Sequence, residues 1–329
     1  MSALTIVMYH YVRDLAGSRY PGLRALALEK FEGQLDYITR HYRVCSVRDV
    51  VAAAQGRCRL PPNACLLTFD DGFLDHFTTV LPRLLARGFP AGFYAPAVAV
   101  EERRVLDTHK VHFILAGCPD AGKLARRLLD MIDGYRGDAA LPPAEALWRQ
   151  YGVAYRSDVP EVVFVKRLLQ RGLPAGVRSA LARRLFEEFV GVDERAFAQE
   201  LYMDLDQLRC LQRLGMEVGG HGAEHLWLGA LDRDAQDSEI TRTLAFLVRV
   251  HGGAPRDWVM CYPFGSYDEI TLELLRSRGC ALAMTSRVGL AADLERPLEL
   301  PRLDTNDLPT SATAEPGEWT VATLGGGRG

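Results

Sequence analysis

Thr68-Phe69-Asp70-Asp71-Gly72 follows the apolar run Ala64-Cys65-Leu66-Leu67 and precedes a helix-patterned stretch, which puts two adjacent carboxylates at the C-terminal end of a strand. Side chains alternate along a strand, so the two aspartates take different directions unless the turn bends, and Gly72 supplies that freedom. One then suits a cation and the other stays free as a base. Taken alone, the same residues also serve as an Asx turn with a helix N-cap. A second strand end, Met216-Glu217-Val218-Gly219-Gly220, runs into His221-Gly222-Ala223-Glu224-His225, and histidines at i and i+4 can present two imidazole nitrogens to one cation. A third joint, Cys261-Tyr262-Pro263-Phe264-Gly265-Ser266-Tyr267, offers backbone amides for an oxyanion hole and aromatic walls for a sugar, although P-x-G is also ordinary loop punctuation.

Strand ends in α/β folds converge on one site, so His221, His225 and one of the two aspartates read as a facial His-His-Asp set for one divalent metal, with the other aspartate beside it. Zinc is the ion such a set favours first; cobalt, nickel, manganese and iron fit the same donors.

The elements that must position these residues are short apolar runs alternating with helical patterns, the signature of β/α units around a parallel sheet or barrel. Strands are predicted at Leu4 to Tyr9, Arg43 to Ser46, Ala64 to Phe69, Ala91 to Tyr94, Met216 to Gly219, Trp258 to Tyr262 and Leu282 to Thr285. Helices are predicted at Leu28 to His41, Asp75 to Arg87, Asp234 to Val250 and Asp268 to Arg278. The alternation breaks between about residues 101 and 205, where Lys123 to Asp133, Ala144 to Gln150, Glu161 to Gln170 and Val177 to Val190 read as amphipathic helices. The expected organisation is one barrel-like domain over residues 1–309, interrupted by that helical insert, followed by a loose tail over 310–329 that is rich in Thr, Ala, Gly and Pro.

Composition narrows the function. The 329 residues are 48% hydrophobic and 25% charged with a formal net charge of -3, so no broad basic field exists to attract nucleic acid or anionic lipid. The start lacks a basic n-region and a small-residue cleavage site, and His10 and Arg13 interrupt its apolar run, which predicts a cytoplasmic protein without a transmembrane segment. The seven cysteines are far apart, with no C-x-x-C pair, and read as reduced thiols.

T-F-D-D-G and H-x-x-x-H in this order resemble the first and second motifs of the polysaccharide deacetylase family, carbohydrate esterase family 4. The resemblance covers the β/α units but not the helical insert, and it implies a distorted (β/α)7 barrel. By resemblance, Asp70 is the base, Asp71, His221 and His225 bind the metal, and the turn at Pro263, Phe264 and Gly265 helps hold the oxyanion, with Tyr262 and Arg302 near the substrate. Gly222 stands where the family usually has Ser or Thr, which removes a hydroxyl that would brace the loop. Arg256 and Arg302 are both candidates for the arginine that orients Asp70. No histidine follows His251, where the family commonly carries its acid; His10, in Met8-Tyr9-His10-Tyr11-Val12, resembles the acid of permuted members that hold it near the N-terminus. The implied reaction is hydrolysis of an N-acetyl group on an amino sugar, with a surface-polysaccharide precursor of the O-antigen type as the expected partner.

Two other readings compete. His221-Gly222-Ala223-Glu224-His225 also satisfies the H-x-x-E-H pattern of inverted zinc proteases, which requires a helix there and leaves Asp70 and Asp71 unexplained. A catalytically inactive carbohydrate-binding protein on the same fold would have lost the base or a ligand, and all four residues are present. His109 and His112 in the insert, and Trp148, Trp227 and Tyr202 as stacking surfaces for sugar, are further candidates.

Overall fold

Among the described residues, ten short strands organise the fold: β1 Thr5–Tyr9, β2 Val12–Arg13, β3 Leu26–Ala27, β4 Arg43–Val44, β5 Ala64–Phe69, β6 Gly92–Ala95, β7 Glu217–Gly220, β8 Val259–Cys261, β9 Leu282–Met284 and β10 Leu303–Asp304. A computed structural model describes residues 3–137, 141–155 and 158–325. The chain divides into two compact units, one of Met1–Arg13, Ala25–Arg104 and Gln199–Gly329, the other of Asp14–Arg24 and Val105–Ala198.

The first unit is a curled parallel sheet in the order β10-β1-β5-β6-β7-β8-β9, with β4 pairing β5 and the β2–β3 ribbon apart. Its two ends approach through one run: Leu300 bridges Met284 of β9, and Leu303 pairs with Val7 of β1. All six residues of β5 are buried, as expected for a strand covered on both faces. The expected (β/α) barrel-like class therefore holds. The register sets the site. Tyr9 lies opposite Phe69, Phe69 opposite Phe93, Ala95 opposite Gly220 and Gly220 opposite Met260. His10, Asp70, His221 and Tyr262 each follow the C-terminal end of a strand, at one edge of the sheet.

The segment after Thr310, expected to be loose, carries a helix, Glu318–Gly325. Its anchors are Trp319, packed against the core, and two threonines. Thr320 accepts from the Tyr37 hydroxyl at 2.8 Å and bonds that of Tyr42 at 2.8 Å, and Thr323 bonds Thr5 at 3.0 Å beneath β1. Residues 326–329 of that expected tail lie outside the described residues. A Cβ at Gly33, on the helix Leu28–His41, would fall 2.0 Å from the carbonyl oxygen of Thr310. Gly33→Ala is therefore expected to destabilise the chain by about 1–3 kcal/mol and to expose the C-terminal segment to limited proteolysis. Unchanged stability and unchanged cleavage would show that this docking is absent.

The second unit is helical: Ala121–Asp133, Ala144–Tyr151, Pro160–Arg167 and Ala175–Phe189 fall on the four stretches predicted as helices, and Asp107–Gly117 is a further one. Tyr20, Phe113, Phe186 and Phe197 form an edge-to-face cluster at its centre, so Asp14–Arg24 packs with the later helices and not with its sequence neighbours. His109 and His112 both belong to this unit.

Candidate metal-centred active site

Asp71, His221 and His225 come together, all three buried, with ligand atoms within 4.8 Å of one another. Nε2 of each histidine lies 3.4 Å from Oδ1 of Asp71. That spacing is long for a charge-assisted hydrogen bond, which closes to about 2.7–2.9 Å. It matches the edge of a tetrahedron whose cation-to-ligand bonds are about 2.0–2.1 Å, for which the edge is roughly 3.3–3.4 Å. Nδ1 of His221 is 2.8 Å from the carbonyl oxygen of Cys261, which can only accept. The proton is thereby assigned to Nδ1, and the Nε2 lone pair faces the pocket, as in metal-binding imidazoles. Burial works against an imidazolium at His221, but the Asp70 and Asp71 carboxylates outweigh it and its pKa is raised. The pocket draws positive charge. By donor chemistry, spacing and electrostatics, the residues fit a divalent metal.

Backbone conformation shapes the cluster. Asp71 (φ 74°), His225 (φ 56°) and Phe264 (φ 58°) all lie in the left-handed region, which non-glycine residues occupy at a cost of about 1–3 kcal/mol each. Such outliers persist where the surroundings over-determine them, and here they fall in the three loops that form the site.

Asp70 is 1% exposed and held by a two-pronged contact from Arg302, itself 1% exposed. One guanidinium nitrogen is 2.9 Å from Oδ1 and the other 2.7 Å from Oδ2. The same guanidinium donates to the carbonyl of Thr285 at 2.8 Å and the hydroxyl of Thr68 at 3.2 Å, which fixes the fork. Burial raises the Asp70 pKa, but Arg302 and His221 overcome it and hold the carboxyl at about 2. The choice between two arginines is thus decided by geometry: Arg302 orients Asp70, and Arg256 is exposed. Arg302 is correspondingly not a substrate contact.

His10 follows β1, whose last residue pairs with Phe69, and the Asp70 amide donates to the Tyr9 carbonyl at 2.9 Å. This puts His10 and Asp70 side by side, each one residue beyond a paired strand end. Nε2 of buried His76 donates to the His10 carbonyl at 2.8 Å, and burial pushes the His76 pKa down to about 4. A neutral His76 steadies the backbone under His10. His76 lies inside the helix predicted at Asp75 to Arg87, where nothing local marks this contact.

The third loop departs from expectation at two residues. Tyr262 is 1% exposed and gives its hydroxyl to the Leu298 carbonyl at 2.8 Å, and Pro263 is buried, so neither side chain meets a substrate. The amides of Gly265 and Ser266 bond back to Tyr262 and Pro263. The Phe264 ring sits 4.6 Å from that of His225, and Trp227 stacks on its other side at 4.3 Å and 4°. Tyr202 is buried against Phe73, and Trp148 packs on Phe164 in the second unit.

Glu224 is pinned outside the cluster by Arg104 and by Arg242, the latter at 2.7 Å. Residues 221–227 form a loop. The inverted-protease reading, which needs a helix and a glutamate free to act as base, is excluded by that geometry.

A curled parallel sheet with a His-His-Asp cation site and an arginine-held aspartate at its C-terminal edge defines the class. Residues 190–283, which carry both histidines and the Pro263–Gly265 turn but neither aspartate, match the polysaccharide deacetylase family. No curated protein matches the sequence. Solved structures similar to the chain include the deacetylase PplD of Streptococcus pyogenes in complex with acetate, at 16% identity over 92% of both chains and a TM-score of 0.55. IcaB from Ammonifex degensii aligns at 19% identity over 98% of this chain and 97% of that one, with a TM-score of 0.55. The BpsB deacetylase domain from Bordetella bronchiseptica aligns at 15% identity over 92% and 96%, with a TM-score of 0.53. The resemblance to the polysaccharide deacetylase family is borne out by this match and by the shared fold. No described helix is long and apolar enough to cross a membrane.

Proposed function

We propose that the chain is a metal-dependent hydrolase that removes N-acetyl groups from an amino sugar of a surface-polysaccharide precursor. The observation that carries this reading is the pairing of two functions in adjacent residues: Asp71 faces His221 and His225, while both carboxylate oxygens of Asp70 are held by Arg302. Asp71, His221 and His225 would hold a divalent cation, zinc first, which when bound would supply Lewis acidity to polarise a carbonyl and acidify water. Asp70 accepts the proton of the attacking water. Its low pKa keeps it ionised at every working pH, and the Arg302 fork fixes its direction. The Phe264 amide, in the turn whose ring packs beside His225, donates to the developing oxyanion. His10 delivers a proton to the departing amine.

Removing that acid is expected to lower turnover by about 10²-fold or more in His10→Ala, with metal affinity unchanged. Full turnover in the variant would remove His10 from the mechanism. The substrate is tested by acetate release from N-acetylhexosamine oligomers, lipid-linked sugars and nucleotide-linked sugars, with the zinc-loaded chain. Release from a linked precursor in preference to oligomers supports the reading, and release from none of them opposes it.

A further inference from the structure

We infer that Glu239 is a positioning residue for the metal centre, bracing the loop between His221 and His225 through its backbone; the inference rests on the metal site argued above. Glu239 projects from the helix Arg233–His251, is 4% exposed, and brings Oε2 to 3.1 Å from the Ala223 amide and 3.0 Å from the Glu224 amide. These two N–H groups are the middle of the loop whose ends are the metal-binding histidines. Two successive amides converging on one carboxylate oxygen make an anion nest that fixes the loop's curvature.

Position 222 explains why the brace comes from a distance. Gly222 has φ 72°, and a Cβ there would stand 3.1 Å from the Pro263 ring and 3.4 Å from Oε2 of Glu239 itself. A side chain at 222 would thus be strained by the backbone and would crowd both the oxyanion turn and the carboxylate. Glycine at 222 and a buried acid at 239 form a matched pair. The loop is tied further by the Ala97 and Val98 amides, which donate to the carbonyls of Gly222 and Ala223 at 3.3 and 3.0 Å. Arg242 joins the two acids from outside, 2.7 Å from Glu224 and 3.8 Å from Glu239.

Burial raises the Glu239 pKa, and the Glu224 and Ala223 amides offset that rise only in part. A carboxylate kept in such a place has to be held by what it organises. Outer partners of metal ligands are worth about 10–100-fold in affinity when removed. Glu239 acts on the histidines through their backbone.

The test measures zinc affinity of the full chain by competition with a chromophoric chelator, together with the visible spectrum of the cobalt-loaded form and the unfolding midpoint of the metal-free form. Glu239→Ala is expected to lose about 10–100-fold in zinc affinity and to alter the cobalt spectrum. Glu239→Gln keeps an oxygen acceptor for the amides and should recover part of the affinity. Leu247→Ala, buried on the same helix, serves as the structural control: its unfolding midpoint falls, but its zinc affinity stays within about threefold of the parent. Zinc binding in Glu239→Ala within threefold of the parent, or an equal loss in Leu247→Ala, would overturn the inference while leaving the metal site standing. Failure of the parent chain itself to bind zinc would overturn both.

Discussion

Asp70→Asn is expected to cut acetate release by about 10²–10⁴-fold while the chain still takes up one zinc, because the proton acceptor is lost and the three ligands are not. Asparagine has nearly the shape of aspartate, so the loss reports chemistry and not a collapsed pocket. The variant carries a second consequence. Arg302, buried at 1% exposure, then faces a neutral amide, and the guanidinium loses the charge that compensated it. A fall in activity therefore has to be read beside the unfolding midpoint. Loss of zinc together with activity would contradict the division of labour between Asp70 and Asp71.

Arg302→Met is expected to be the most destabilising single change in the site, by about 3–5 kcal/mol, because it strands a buried carboxylate. The double variant Asp70→Asn with Arg302→Met removes both charges and should be more stable than the sum of the single losses implies. Urea unfolding of the four chains measures the coupling, and strict additivity would show that the pair is not a unit. The pH dependence has a definite sign. The Asp70 pKa lies below its ordinary value, at about 2, so the pair's contribution is full above the unfolded carboxyl's pKa of roughly 4 and is lost as pH falls towards 2. The difference corresponds to roughly 2 kcal/mol that the parent loses over that interval and that Arg302→Met no longer has to lose. Asp70 remains ionised throughout the neutral range, so a decline in activity between pH 7 and 5 would come from protons competing with the cation for the histidines.

How much of this was legible beforehand depends on how local each signal is. β5 runs over the residues predicted for it, since six consecutive apolar and β-forming residues bounded by turn signals leave little choice. Asp70, Asp71, His221 and His225 were recognisable because each pair is contiguous or nearly so. Arg302 was not decided, because its partner lies 232 positions away and only the approach of Leu300 and Leu303 to β9 and β1 brings them together. Tyr262 was misread because an aromatic residue after a strand can face either way, and here the hydroxyl finds Leu298 in the core. Glu239 left a faint trace: it stands beside Gln236, Ile240, Thr243 and Leu247 on the buried face of its helix, where a charge is out of place. The docked C-terminal helix was missed because two of its anchors, Thr320 and Thr323, are held by hydroxyls, beside a single packed aromatic, Trp319.

The central claim is that Asp71, His221 and His225 form one metal centre, and metal analysis of the zinc-equilibrated, gel-filtered chain tests it most directly. The account predicts one zinc per chain in the parent and in Asp70→Asn, and less than a tenth of that in Asp71→Ala, His221→Ala and His225→Ala. No retained zinc in the parent, or full retention after loss of any of the three ligands, would contradict it.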